Sequence, residues 1–308
     1  MRTGLMVGAT DGANGTGTIE GIVKQAQESE AKGFNNLWMA NIFGLDAITT
    51  LAIVGQATSK IGLGTAVTPT YPRHPTAIAQ QALTTGAAAD GRFTLGVGLS
   101  HKMVIEGMFG LSYDKPARHM KEYLSILSPL LKGETTTFAG DQYTVNNVTL
   151  AMPGQQPVPL LVAALGPLML KLAGEFADGT VTWMTGPNTL EDYIIPTINK
   201  SANAAGKPNA TIVAGFPIIL TNDPDGARKL ISQELQIYGM LPSYRSMLDK
   251  EGLEGPADLA IVGDETELRG KIQQLKDIGV TDFCASIVAG DAETHDRTLE
   301  FLASEIRE

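Results

Sequence analysis

The chain has 308 residues, of which 43% are apolar and 18% charged, the make-up of a globular protein with a large core and no tract biased towards disorder. A net charge of −10, with no basic run of five or more residues, argues against nucleic acid or an acidic membrane surface as partner, because both are polyanions. The single cysteine, Cys284, rules out an internal disulfide and is compatible with a reducing cytoplasm, the expected location.

In chain order, Arg2 precedes a short apolar run that Asp11 ends before signal-peptide length, and no later stretch approaches the roughly 18 apolar residues of a membrane helix. Residues 3–7 predict a first strand. Gly8-Ala9-Thr10-Asp11-Gly12-Ala13-Asn14-Gly15-Thr16-Gly17 follows. No helix begins directly after those glycines, so the stretch reads as a mobile loop and not as a dinucleotide fingerprint. A helix near residues 19–31 then ends at Gly33, and a β-prone run follows through Trp38. The same phrase recurs at Gly91-Arg92-Phe93, Gly179-Thr180-Val181 and Gly279-Val280-Thr281-Asp282-Phe283. Glycine closes helices cheaply in the left-handed conformation, so each predicts a helix end feeding a strand.

The converse order, strand then helix, is predicted at residues 61–66 before 75–88, at 160–163 before 168–176, and at 211–220 before a helix starting near Asp225. Strand candidates therefore lie near Thr3, Asn36, Ile61, Phe93, Leu160, Thr180, Thr211 and Asp282. Such alternation predicts an α/β fold, a closed (β/α)8 barrel, with a doubly wound open sheet as the alternative. Residues near 135–159 predict a hairpin-like excursion, and residues near 238–257 an inserted loop and short helix. With no fixed repeat and no linker, a single domain over residues 1–308 is expected. Cys284, between Phe283 and Ala285, reads as core.

Barrel chemistry sits on the loops after the strands, and three of these are distinctive. Gly64-Thr65-Ala66-Val67-Thr68-Pro69-Thr70-Tyr71-Pro72-Arg73-His74-Pro75 carries prolines into a helix start. His74 could cap that helix or line a pocket, and turn chemistry alone also accounts for the prolines. In Gly96-Val97-Gly98-Leu99-Ser100-His101 the bare backbone would let a flat ligand approach, with His101 at the barrel mouth. The competing reading makes His101 a surface residue starting the next helix. Ala163-Ala164-Leu165-Gly166-Pro167 ends with proline at a first helical position, where free N–H groups and the helix dipole favour a phosphate; the alternative is an ordinary turn. The histidines, His74, His101, His119 and His295, lack close His or Cys partners, so no metal is expected.

In order and spacing, Gly33-Phe34 to Trp38, Tyr71-Pro72-Arg73-His74-Pro75, Gly91-Arg92-Phe93 to Gly98, and Gly166-Pro167 to Gly179 resemble the luciferase-like oxidoreductase family. The likeness is particularly to its actinobacterial and archaeal branch, which uses the deazaflavin coenzyme F420. The resemblance implies a TIM barrel with insertions, usually dimeric, with the deazaflavin ring over the strand ends. It implies a bulge with a non-prolyl cis peptide at Ala66-Val67, running on into Thr68, and a ring bed completed by Gly96, Gly98, Ser100 and His101. Ala164, Leu165, Gly166 and Pro167 match a phosphate-contacting helix start. His101 falls where related sugar-phosphate dehydrogenases place an acidic proton-transfer residue. Asn41 falls where they place a catalytic histidine, and Ala40 where they have an acidic ring contact, departures that argue against the sugar-phosphate reaction.

The implied activity is hydride transfer between the deazaflavin C5 and an activated C=C, C=N or C=O bond of a small molecule. His101 would move the proton and Asn41 would orient substrate or ring. An FMN-dependent luciferase-like monooxygenase and a non-catalytic flavin- or deazaflavin-binding barrel are the alternatives. A homodimer is the expected assembly.

Overall fold

The computed structural model describes residues 1–8 and 17–307, so the glycine-rich stretch predicted as a mobile loop lies, over residues 9–16, outside the described residues. Among the described residues the strands are β1 (Arg2–Val7), β2 (Asn36–Met39), β3 (Gly62–Thr65), β4 (Thr68–Pro69), β5 (Phe93–Gly98), β6 (Thr136–Ala139), β7 (Thr144–Val148), β8 (Leu160–Val162), β9 (Gly179–Trp183), β10 (Thr211–Leu220), β11 (Ile261–Gly263) and β12 (Asp282–Ile287). Parallel pairing runs β12, β1, β2, β3, β5, β8, β9, β10, and β10 pairs back onto β12, which closes the ring. The eight strand positions predicted from sequence are the eight staves of this ring, and helices alternate with them. The fold is a closed (β/α)8 barrel and not an open sheet.

Two cores follow from that closure. Between strands and helices, apolar residues such as Ile22, Leu51, Ile78 and Leu124 are fully buried. Inside the ring, Trp38, Leu161, Val181, Val213 and Cys284 pack together, with the partly buried Met6, Ala66 and Val67 against them. Strands covered on both faces are apolar almost throughout, which is why they read as runs and not as alternation. Cys284 is fully buried in the inner plug, and burial pushes its thiol pKa far up, so it is a packing residue as expected.

Of the four glycines predicted to end helices, Gly33, Gly91 and Gly279 are left-handed, at φ 96°, 76° and 98°. Gly179 is not. It opens β9, and a Cβ there would lie 2.0 Å from the Thr211 carbonyl oxygen of β10, so close strand approach, not a helix cap, requires glycine. Next to Gly91, Arg92 donates to the carbonyls of Gly55 (2.8 Å), Thr58 (2.9 Å) and Ile61 (2.7 Å). Its guanidinium thus satisfies the end of the helix Ala47–Ala57 and the approach to β3.

The excursion near residues 135–159 contains the antiparallel hairpin β6–β7. The insertion near residues 238–257 is helical: Gln236–Met240, Pro242–Glu251 and Pro256–Leu259. The short strand β11 then joins the end of β10, pairing Ile218 with Ile261. Sequence reasoning missed it, since three residues show no periodicity. No helix among the described residues is long and apolar enough to cross a membrane.

Candidate active site

Strands β3 and β4 are one stave interrupted by an extra residue. Gly64 pairs with Thr94 of β5, yet Thr68 pairs with Val97, the two-against-one count of a β-bulge. Within it the Ala66-Val67 peptide is cis. The bulge is gripped from both neighbouring strands. The Ala66 N–H donates to the Met39 carbonyl at 2.8 Å, and the Val67 carbonyl accepts from the Asn41 N–H at 3.4 Å. The Thr65 hydroxyl donates to the Gly96 carbonyl at 2.8 Å and accepts the Gly96 N–H at 2.9 Å.

Gly96 and Gly98 are buried beneath this bulge. A Cβ on Gly96 would lie 2.0 Å from the Thr65 carbonyl oxygen, and one on Gly98 2.7 Å from Val67 Cγ2. Their bare backbone makes room for the bulge, and not directly for a flat ligand as expected from the sequence. The accessible bed is the bulge itself: Ala66 and Val67 are half-buried, as are Ala40 and Asn41 beside them. Thr68 is buried, and its Oγ1 has no hydrogen-bond partner.

Asn41 has a structural duty. Its Oδ1 accepts from the Ala47 N–H at 3.0 Å, holding the start of the helix Ala47–Ala57, which leaves its amide nitrogen and one further lone pair of the oxygen for a ligand. His74 is the N-cap of the helix Pro75–Ala88, its Nδ1 accepting the Thr76 N–H at 3.3 Å, which decides that residue in favour of capping. In the third loop Ala164 is fully buried in the core, Leu165 and Gly166 are half-buried, and Pro167 is exposed. Gly166 starts the helix Pro167–Phe176 with no side chain capping it.

His101 is placed differently from His74. Ser100 adopts φ 59°, and its carbonyl accepts from the Tyr113 hydroxyl at 3.2 Å. This turn sets His101 at the start of the short helix Lys102–Ile105, where the imidazole makes no capping bond. The ring is half-buried, 5.6 Å from the Tyr244 ring, and burial lowers its pKa. Tyr244 meets Tyr238 at 5.3 Å, and Tyr238 meets Trp183, at the end of β9, at 6.0 Å. The insertion therefore builds an aromatic wall from β9 to His101. Sequence reasoning named none of these rings, because nothing in the chain joins residues 183, 238 and 244 before the barrel closes.

A second group of rings aims the same turn. Tyr113 stacks on Tyr71 at 5.1 Å, and Tyr71 lies on the buried His119 at 3.8 Å. His119 Nε2 is 2.9 Å from Thr70 Oγ1, and Nδ1 is 3.2 Å from Gln142 Oε1 of the loop joining β6 to β7. Burial pushes the His119 pKa down to about 4, from an ordinary value of 6.5. Between those values the unfolded chain binds a proton that the native state refuses, so stability is intact above 6.5 and declines as pH falls towards 4. Urea unfolding should lose about 2 kcal/mol between about pH 7 and pH 5, above the midpoints of ordinary carboxylates. His119→Gln should remove most of that slope. His101, whose lowered pKa acts in the same direction, contributes to the remainder, as do carboxylates held low such as Glu30 and Glu122.

A closed parallel barrel with these groups at the C-terminal ends of its strands defines an enzyme scaffold. The family model described as luciferase-like monooxygenase matches residues 1–297. A 5,10-methylenetetrahydromethanopterin reductase from Methanolobus tindarius is 26% identical over 92% of this chain and 95% of its own length. An F420-dependent glucose-6-phosphate dehydrogenase from Kineococcus radiotolerans is 28% identical over 78% of this chain and 74% of its own. Among solved structures, an F420-dependent secondary alcohol dehydrogenase in complex with an F420-acetone adduct superposes with a TM-score of 0.82, over 100% of this chain and 99% of that one at 21% identity, a likeness of fold. The chain belongs to the luciferase-like monooxygenase family, and it is an oxidoreductase.

Proposed function

We propose that the chain binds coenzyme F420 over the Ala66-Val67 bulge and transfers a hydride between it and a small organic substrate, with His101 moving the accompanying proton. The observation that carries this is the half-buried imidazole of His101, presented at the mouth and not used as a helix cap. The surrounding residues fit a flat cofactor with a phosphate-bearing tail. A Cβ on Gly166 would meet nothing within 4 Å, so the uncapped start of Pro167–Phe176 has room and N–H groups for a phosphate. Thr68 Oγ1 and Trp183 Nε1, both at strand ends, are buried without hydrogen-bond partners and would gain them from a polar ring.

When bound, F420 supplies a hydride from its C5 carbon to an activated C=C, C=N or C=O bond, or accepts one in the reverse direction. The chain does the rest. Ala40, Ala66 and Val67 offer a floor of small side chains, and Trp183, Tyr238 and Tyr244 exclude water from one side. His101 is neutral near pH 7 because burial disfavours its charged form, so it is ready to take the proton when the substrate is oxidised. In the reducing direction it must first be protonated, and turnover should rise as pH falls towards its lowered pKa. Ala40 and Asn41 stand where sugar-phosphate relatives have acidic and histidine side chains, so the substrate belongs to another class.

Titration with F420 and with FMN, then anaerobic oxidation of reduced F420 against enones, imines and ketones, tests the reading. His101→Ala should lower kcat about a hundredfold while F420 affinity is kept; undiminished turnover would remove its role. Micromolar FMN binding without F420 binding would favour an FMN-dependent monooxygenase. Cofactor binding without turnover on any substrate would leave a non-catalytic binding barrel.

A further inference from the structure

Among the described residues the His101 imidazole makes no hydrogen bond, and its one ring contact is with Tyr244 at 5.6 Å. Its place at the mouth is therefore set by the backbone that delivers it. That backbone is strained: Ser100, the residue before it, holds φ 59°, a left-handed conformation that a side chain disfavours. The restraint comes from 13 residues further along the chain, where the Tyr113 hydroxyl donates to the Ser100 carbonyl at 3.2 Å. That carbonyl and the His101 N–H belong to one rigid peptide plane, so a donor fixed against the oxygen fixes the direction in which His101 leaves the strand end.

The donor is itself fixed. Tyr113 lies on the non-helical segment 110–115, and its N–H donates to Glu106 Oε1 at 3.2 Å. Its ring stacks on Tyr71, whose ring lies within 5° of parallel to the pinned His119. Thr70, beside Tyr71, donates its N–H to the Gly98 carbonyl at 3.0 Å, so the stack is seated against β5, the strand whose end carries Ser100. We infer that Tyr113 is a positioning residue: its hydroxyl, aimed by the stack of Tyr71 on His119, holds Ser100 left-handed and so keeps the His101 imidazole half-buried at the mouth. This rests on reading His101 as the proton-transfer residue. It adds a residue that sets where that proton is handled without touching substrate or cofactor.

Tyr113→Phe keeps the ring and removes the anchor, so Ser100 should leave the left-handed region and the imidazole should turn towards water. Burial alone lowers the His101 pKa: the Lys102–Glu106 pair on its own helix brings no net charge, and burial keeps the Tyr238 and Tyr244 hydroxyls opposite neutral. Its NMR titration midpoint, read on histidine-labelled protein and assigned with His101→Ala, should therefore move up towards the ordinary 6.5 in the variant. With reduced F420 and a reducible substrate, kcat should fall about ten- to a hundredfold while the KM for F420 is kept. The rise of turnover on acidification should begin at a higher pH, in step with the midpoint. Tyr71→Leu keeps the hydroxyl but removes its backing, and should move the midpoint the same way by less. Tyr123→Phe is the structural control: it deletes another hydroxyl-to-carbonyl bond, to Arg73 at 3.0 Å and beside the same His119, and should lower stability without moving the His101 midpoint.

An unmoved midpoint in Tyr113→Phe overturns the positioning role, and so does an equal shift in Tyr123→Phe, which would mean a general loosening of the ring cluster. If Tyr113→Phe does not fold, the midpoint in Tyr71→Leu decides in the same way. A shifted midpoint with turnover undiminished in both Tyr113→Phe and His101→Ala leaves the anchor standing and sinks the proton-transfer reading alone.

Discussion

Replacing Gly96 with alanine is expected to destabilise the protein by about 3 kcal/mol and to disassemble the strand end on which the site is built. The new Cβ would lie 2.0 Å from the Thr65 carbonyl oxygen, a backbone atom with no rotamer to escape through. Thr65 cannot retreat, because its hydroxyl bonds both the N–H and the carbonyl of Gly96 and its side chain is fully buried. Gly98→Ala should be milder, about 1–2 kcal/mol, since its Cβ would meet Val67 Cγ2, a side-chain tip, at 2.7 Å and Ala163 Cβ at 3.2 Å, where a shift of a few tenths of an ångström relieves the contact. Val67→Ala removes the first of those contacts. A double-mutant cycle between Gly98→Ala and Val67→Ala should therefore show favourable coupling, and Gly96→Ala, whose Cβ would meet Val67 Cγ1 at 3.1 Å but the Thr65 oxygen at 2.0 Å, should couple to Val67→Ala only for the smaller part of its loss. Urea unfolding measures the three single and the two double variants. A Gly96→Ala protein within about 0.5 kcal/mol of wild type would mean that the bulge relaxes freely and is not fixed by β5.

The barrel was legible because its cause is local. Apolar runs between helix-ending glycines name the strands one at a time, and the register that closes β10 onto both β9 and β12 follows from eight of them in parallel. Glycine as a signal is degenerate, however. Gly33 and Gly279 meet a backbone need, whereas Gly179 and Gly96 meet a need set by a strand far away in the chain. The candidate site divides along the same line. His101 and the helix start at Gly166 are visible because each sits directly after its own strand. The aromatic wall and the stack of Tyr113, Tyr71 and His119 join residues from separate excursions, and only the folded geometry of the insertions brings them together. Asn41 shows the limit of reading a position by analogy: its side-chain carbonyl is engaged by the Ala47 N–H whatever the amide does at the mouth.

At the opposite end of the barrel, Asp282→Ala should cost about 3–5 kcal/mol of stability while leaving turnover per folded molecule unchanged. Asp282 opens β12, is fully buried, and sits opposite Arg2 of β1 in the register. Its carboxylate accepts from Arg2 Nε at 2.7 Å and from Arg2 NH2 at 2.9 Å. It also accepts from Asn36 Nδ2 at 2.8 Å and from the Thr281 hydroxyl at 2.8 Å. Gly4 and Gly62 leave the space for Asn36, since a Cβ on either would lie within 2.7 Å of an Asn36 oxygen. The group is thus one polar plug spanning β12, β1, β2 and β3 at the base. Alanine would strand the Asn36 amide in the interior with no acceptor, and leaving one member of a buried network unpaired costs more than the network's net contribution. Asp282→Asn keeps the volume and an acceptor for Asn36. Its amide would face the Arg2 donors, but the Arg2 side chain is 58% exposed and can turn to water, so the loss should be about 1–2 kcal/mol. Equal losses for alanine and asparagine would show that the charge, and not the acceptor for Asn36, holds the base together. A fall in kcat of correctly folded Asp282→Ala would show that the base communicates with the mouth, against the expectation that this end of the barrel contributes stability alone.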